Sequence, residues 1–133
     1  MRSKIRILTV DDHPILREGI AAVLETEDDM DLVAEASDGS EALNQFRAHL
    51  PDVTLMDLQM PQMNGIDAIL AIRKDFPDAR IIVLTTYSGD AQAAKAFKAG
   101  ASGYLLKNML RKELVETIRS VHAGKKKIST QIA

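Results

Sequence analysis

Four short apolar runs punctuate the chain: Ile5 to Val10, Val53 to Met56, Ile81 to Leu84 and Tyr104 to Leu106. Each closes near a polar or charged residue. Unbroken apolar runs of this length predict strands covered on both faces, the pattern of a parallel sheet. A fifth run, Asp31 to Ala36, is less apolar, as an edge strand is expected to be. Between the runs the spacing turns helical. Pro14 stands where a helix opens, since a first-turn proline gives up no intrahelical bond, and Leu16, Ile20, Val23 and Leu24 follow on one face. Asp38-Gly39-Ser40-Glu41 has the form of a capping box ahead of a stripe made by Ala42, Phe46 and Leu50. A third helix carries Ile66, Ile69, Ile72 and Phe76 and is stopped by Pro77. A fourth, Ala-rich, runs from about Asp90 to Ala99 with Gly100 as its C′ residue. The last places Leu110, Leu114, Ile118 and Val121 on one stripe and ends at Gly124.

Strand and helix alternate five times. Parallel strands need crossover helices, and right-handed crossovers cover both faces, so the expected fold is a doubly wound α/β sheet of five parallel strands, flavodoxin-like, in the order 2-1-3-4-5. Ligands in such a sheet belong at the carboxyl ends of the strands.

Composition narrows the possibilities. With 133 residues, 46% of them hydrophobic, the chain is expected to form one domain with a sizeable core. It has no cysteine, which removes disulfides, thiolate metal sites and cysteine nucleophiles and suits a reducing compartment. No stretch approaches the roughly 20 apolar residues of a bilayer span, and no apolar signal core precedes the first strand. A cytoplasmic chain with no membrane contact is expected. The net charge of −2 offers no general pull on nucleic acid. Gly124 to Ala133, with Lys125, Lys126 and Lys127, lacks hydrophobic periodicity and reads as a solvated linker, leaving residues 1–123 as the folded domain.

Candidate chemistry gathers at the strand ends. Asp11 and Asp12 follow the first strand, Asp57 ends the third, Thr85 ends the fourth and Lys107 follows the fifth. In the expected sheet these side chains converge on one crevice. Three carboxylates there repel by about 4 kcal/mol per pair at 4 Å and an effective dielectric near 20. A hard divalent cation relieves that repulsion, and Mg²⁺ suits one or two carboxylates, several waters and phosphate oxygens. Asp57 then has the means to attack a phosphoryl donor, with the Lys107 ammonium and the Thr85 hydroxyl placed for the phosphoryl oxygens. Taken singly, each residue has an ordinary reading. An Asp-Asp pair ahead of a helix is commonly a cap, a lysine a solvated charge, a threonine a backbone partner and Tyr104 a half-buried strand aromatic. Joint placement at the strand tips is what separates the two readings. Met56, Met60 and Met63 read as packing, and Pro61 and Gly65 as shaping the loop after Asp57. His13, His49 and His122 show no ligand spacing and read as caps or surface residues.

The segments VDDHP, LMDLQMPQMNG, VLTTYSGD and KAGASGYLLK, in this order and on these strand ends, resemble the receiver domains of two-component response regulators over residues 3 to 123. The resemblance implies Asp57 as phosphoacceptor, with Asp12, Asp57 and the Gln59 backbone carbonyl as direct Mg²⁺ ligands and Asp11 acting through a metal-bound water. It implies Thr85 and Tyr104 as a switch pair that remodels the surface of the fourth helix, fifth strand and fifth helix. It gives Gln59 and Tyr87 a part in the lifetime of the phosphoryl group. It also implies a sensor histidine kinase as donor and a homodimer after phosphorylation. One position departs from the family: proline, with a cis bond, usually follows the active-site lysine, and here it is Asn108. A cis bond before a non-proline residue costs about 2.5–4 kcal/mol and needs surrounding contacts to enforce it. The DDHP start, this missing proline and the HAGKKKIST ending are similar to the subfamily with a C-terminal helix-turn-helix of the LuxR or NarL type. On that resemblance, DNA is contacted only through an output domain not in this chain. A free-standing receiver is the other reading.

Two rival functions make distinct demands. A phosphohydrolase of the haloacid dehalogenase type needs a second Asp two residues after its nucleophile, and here that residue is Gln59. A nucleotide- or flavin-binding module needs a phosphate-cradling loop, and neither G-x-G-x-x-G nor G-x-x-x-x-G-K-[ST] occurs.

Overall fold

The computed structural model describes residues 4–58, 65–85, 90–124 and 127–128. Its strands are β1 (Ile5–Val10), β2 (Met30–Ala36), β3 (Val53–Asp57), β4 (Ile81–Thr85), β5 (Gly103–Leu106) and β6 (Lys127–Ile128). Its helices are α1 (Pro14–Glu25), α2 (Gly39–His49), α3 (Gly65–Asp75), α4 (Asp90–Ala99) and α5 (Leu110–His122), with a 3₁₀ turn at Lys107–Met109. All strand pairs are parallel, in the order β2-β1-β3-β4-β5-β6. The five expected strands and their 2-1-3-4-5 order are therefore present. The sixth strand is an addition to the sequence reading: Lys127–Ile128, within the stretch that reads as a solvated linker, pairs with Gly103–Tyr104 on the outer edge of β5. Two residues carry no period of their own, and only the free edge of β5 makes them a strand.

Period-two alternation along the central strands divides the core in two. Ile5, Ile7, Val53, Leu55, Ile82, Leu84 and Leu105 face α1 and α5, where Ile20, Leu24, Leu114, Ile118 and Val121 are buried against them. On the opposite face Leu8, Val10, Met56, Ile81, Val83 and Tyr104 pack beneath α2, α3 and α4 through Ala42, Phe46, Ala68, Ile69, Ile72 and Ala96. With every central strand covered on both sides, its backbone bonds are all spent on neighbouring strands, and its tips are the only places left to present side chains.

Local signals behave as their chemistry demands. Asp38 accepts the Glu41 amide at 2.8 Å, and the Glu41 carboxylate accepts the Ser37 amide at 2.9 Å, so the capping box closes one residue ahead of the N-cap. Gly100, at φ +118°, ends α4, and the Ala101 amide returns to the Ala96 carbonyl at 2.9 Å. One expectation fails. Leu50 does not continue the buried stripe of Ala42 and Phe46. It is the left-handed C-cap of α2 (φ 46°) and is 56% exposed, because the helix ends one residue too early to carry it round.

Gly65 opens α3 directly beneath the tip of β3, its amide bonded to the Leu58 carbonyl at 3.1 Å. A Cβ there would collide with the Asp57 carbonyl oxygen and stand 2.6 Å from the Leu58 Cα. Both obstacles are backbone, which has little room to give. Gly65→Ala is therefore expected to lower stability by about 1–3 kcal/mol, the usual cost of overpacking, read as a lower urea midpoint. An unchanged midpoint would mean that α3 shifts freely relative to β3.

Candidate functional site

Sheet register brings the site together. Val10 lies opposite Met56, Asp57 opposite Leu84, and Thr85 opposite Leu106. One step past Val10 and Leu106, Asp11 and Lys107 thus come level with Asp57 and Thr85 along one edge of the sheet. Asp11, Asp57 and Thr85 are almost wholly buried. The Lys107 ammonium reaches between two carboxylates, 3.2 Å from Asp11 Oδ2 and 3.3 Å from Asp57 Oδ1. It does so from a trans peptide: no cis bond occurs among the described residues, the Lys107–Asn108 bond included. The 3₁₀ turn that follows β5 carries Lys107 over the pocket without the proline usual at the next position.

The turn from β1 into α1 is held by Asp11 itself. Its amide pairs with the Ala36 carbonyl at 3.0 Å, its carbonyl accepts Arg17 Nη1 at 2.6 Å, and its Oδ1 accepts the His13 amide at 2.8 Å. Both carboxylate oxygens are thereby engaged, Oδ1 on the His13 side and Oδ2 on the Lys107 side. Asp12 is more open to solvent and lies at the rim.

Asp11, Asp12, His13 and Asp57 each offer one ligand-capable atom, and these atoms lie within 4.8 Å of one another. Three carboxylates against one ammonium leave two negative charges uncompensated when all are ionised. An oxygen-rich set of this charge fits a hard divalent ion, which Asp12 and Asp57 could hold directly. His13 is the member that sequence reasoning missed. Its Nδ1 is 2.7 Å from Asp11 Oδ1 and 3.0 Å from Asp12 Oδ1. The available signal was its place directly after the Asp pair, where the turn folds it back over both.

Tyr104 is fully buried, on the α3–α4 side of the sheet with Val83, Ala96 and Ala101. Its side chain is hydrogen-bonded to Thr85. Burial pushes the phenol above the usual tyrosine value, and the Thr85 bond pulls it partly back. Because the folded state holds this proton more tightly than the unfolded chain, the associated stability is complete below pH about 10 and is lost as pH rises through the raised value. The stability difference between the wild-type chain and Tyr104→Phe is expected to shrink over that alkaline range. Near neutrality the variant should lose about 1 kcal/mol, the worth of one buried hydrogen bond. Urea midpoints at several alkaline pH values check this, and a pH-independent difference would contradict it.

Gln59, Met60, Pro61, Met63 and Tyr87 lie outside the described residues. His49 is half-buried and His122 exposed, and neither joins the acidic group. Among the described residues no helix is long and apolar enough to cross a membrane.

A doubly wound sheet with an acidic, lysine-capped pocket at its strand tips defines a class of signalling domain. The receiver-domain profile of response regulators matches residues 7–119, and the chain belongs to that family. It is similar to the transcriptional regulatory protein YhcZ of Bacillus subtilis, 45% identical over 128 residues that cover 96% of this chain and 59% of that protein. It is also 41% identical to LiaR, another transcriptional regulatory protein of Bacillus subtilis, over 97% of this chain and 61% of that protein. The chain thus spans about three-fifths of these relatives' length. Among solved structures, a LuxR-family two-component response regulator from Aurantimonas sp. SI85-9A1 superposes with a TM-score of 0.94 at 44% identity, covering 98% of this chain and 93% of that one. The receiver domain of NarL from Mycobacterium tuberculosis superposes with a TM-score of 0.88 at 36% identity, covering 92% of this chain and 99% of that one.

Proposed function

We propose that this chain is a phosphorylation-operated switch in which Asp57 accepts a phosphoryl group from a sensor histidine kinase. The observation that carries the reading is the pair of contacts from Lys107 to the buried carboxylates of Asp57 and Asp11. An Asp57 carboxylate oxygen forms a new P–O bond while the P–N bond to the donor histidine breaks, or the corresponding P–O bond when the donor is acetyl phosphate. Lys107, already turned toward Asp57, offsets charge on the transferring group, and the Thr85 hydroxyl is one strand away to donate to a phosphoryl oxygen. Asp12, Asp57 and the Gln59 backbone carbonyl would hold Mg²⁺ directly, with Asp11 acting through a bound water. When bound, the ion neutralises the pocket and the incoming phosphate oxygens.

Thr85 and Tyr104 form the switch pair. A Thr85 hydroxyl engaged by phosphate has to change its partnership with Tyr104, and Tyr104 packs with Ala96 of α4. The phosphorylated pocket thereby acts on the surface of α4, β5 and α5. The receiver is residues 1–123 together with the edge strand β6 (Lys127–Ile128), which lies within the stretch 124–133 that begins the linker. The output is transcriptional, through a C-terminal helix-turn-helix that alone contacts DNA, with homodimerisation on phosphorylation, in the cytoplasm. Incubating the chain with acetyl phosphate and Mg²⁺ tests the reading by intact mass. One phosphoryl group per chain is expected, and none when the metal is chelated before acetyl phosphate is added. Multiple-turnover hydrolysis of a phosphate monoester would point to a phosphohydrolase instead.

A further inference from the structure

His13 occupies the N-cap position of α1, yet its imidazole makes no hydrogen bond to that helix. A side chain at this position ordinarily turns onto the free amides of the first turn. The His13 ring turns the other way, and Nδ1 comes within hydrogen-bond distance of one oxygen each of Asp11 and Asp12. Its backbone is held there by the Asp11 carboxylate, so the ring is delivered to the pocket mouth by the same turn that builds the pocket. The side chain is 62% exposed, which leaves it free to adjust by a fraction of an ångström without disturbing the core.

We propose that His13 Nδ1 is a fourth metal donor, which lets the pocket take an imidazole-preferring first-row ion such as Zn²⁺ as well as Mg²⁺. This inference rests on the reading of the pocket as a cation site and adds a residue and a second ion class to it. Donors about 2.1 Å from a shared ion stand roughly 3.0–4.2 Å apart in an octahedral shell. His13 Nδ1 and Asp12 Oδ1, 3.0 Å apart, already meet that condition, whereas the 2.7 Å contact of Nδ1 with Asp11 Oδ1 is a hydrogen bond too short for two ligands of one ion and has to open, which leaves Asp11 in its water-mediated place. Mg²⁺ takes oxygen ligands and retains water, so it gains little from an imidazole. Zn²⁺ takes imidazole and carboxylate together, with the ring proton then on Nε2 toward solvent. An ion held by four protein donors has fewer positions left for phosphoryl oxygens, so it competes with Mg²⁺ rather than replacing it.

Isothermal titration of the full chain with ZnCl₂ and, separately, MgCl₂ tests the assignment in wild type, His13→Ala and His13→Asn. Both variants are expected to lose at least about tenfold in Zn²⁺ affinity, and much less in Mg²⁺ affinity, so that the Zn²⁺ over Mg²⁺ preference falls. Long-range ¹H–¹⁵N spectra of the wild type should show the His13 Nδ1 resonance moving on Zn²⁺ addition. Equal Zn²⁺ affinity in wild type and both variants, or Zn²⁺ shifts confined to His49 and His122, would overturn the proposal while leaving the Mg²⁺ pocket intact. Failure of the wild-type chain to bind Mg²⁺ would instead remove the cation-pocket reading on which the proposal stands.

Discussion

Asp57→Asn is expected to abolish acetyl phosphate labelling, with no phosphoryl adduct detectable by intact mass under conditions that label the wild-type chain fully. The amide keeps the shape of the carboxylate but is no nucleophile, so the loss is chemical rather than structural. Folding should survive, because the substitution removes a negative charge from a pocket where three carboxylates crowd within 4.8 Å of one another, with His13 the fourth member of that group. At an effective dielectric near 20 each close carboxylate pair costs about 4 kcal/mol at 4 Å. Relief of that repulsion works against the loss of the Lys107 contact, leaving thermal stability in the absence of metal equal to or above that of the wild type. Undiminished labelling of the variant would remove Asp57 from the role assigned to it.

Lys107→Ala should have the largest effect on stability. Its ammonium is the partner of two carboxylates that are 0% and 1% exposed, and taking one member from a buried charge pair typically costs about 3–5 kcal/mol. Lys107 keeps some contact with solvent, which places the expected loss toward the low end of that range, about 3 kcal/mol. The variant should also depend on metal more than the wild type does. Any ion that binds only the folded state stabilises it by about 1.4 kcal/mol at ten times its Kd, and the variant pocket, one positive charge poorer, should bind Mg²⁺ more tightly. Urea denaturation with and without Mg²⁺ measures both effects. A variant as stable as the wild type without metal, and indifferent to Mg²⁺, would show that Asp11 and Asp57 do not rely on Lys107.

What was legible in the sequence follows from where the information sits. Asp11, Asp57, Thr85 and Lys107 each end or follow an apolar run, and a parallel sheet offers little choice about where such residues go. Their convergence therefore follows from the order of apolar runs alone. Lys127–Ile128 could not be read in the same way, because a two-residue strand exists only through its neighbour on β5. His13 does stand at the N-cap position and is largely exposed, as its sequence context suggests, but spacing carries no ligand pattern that would place its ring against Asp11 and Asp12. Its direction is set by the Asp11 turn, a three-residue geometry that periodicity does not sense. Leu50 failed for the opposite reason: the apolar stripe continues in the sequence after the helix has stopped. The hydrogen bond between Tyr104 and Thr85 joins two strands, and neither residue announces the other locally.

The proposed switch depends on a divalent-ion pocket at the strand tips that accepts a phosphoryl group on one particular side chain. Reducing the labelled wild-type chain with borohydride converts an acyl phosphate to an alcohol, which tandem mass spectrometry then locates. Homoserine is expected at position 57, formed only when Mg²⁺ was present during labelling. Homoserine at another position, or labelling that proceeds equally well without the metal, would contradict it.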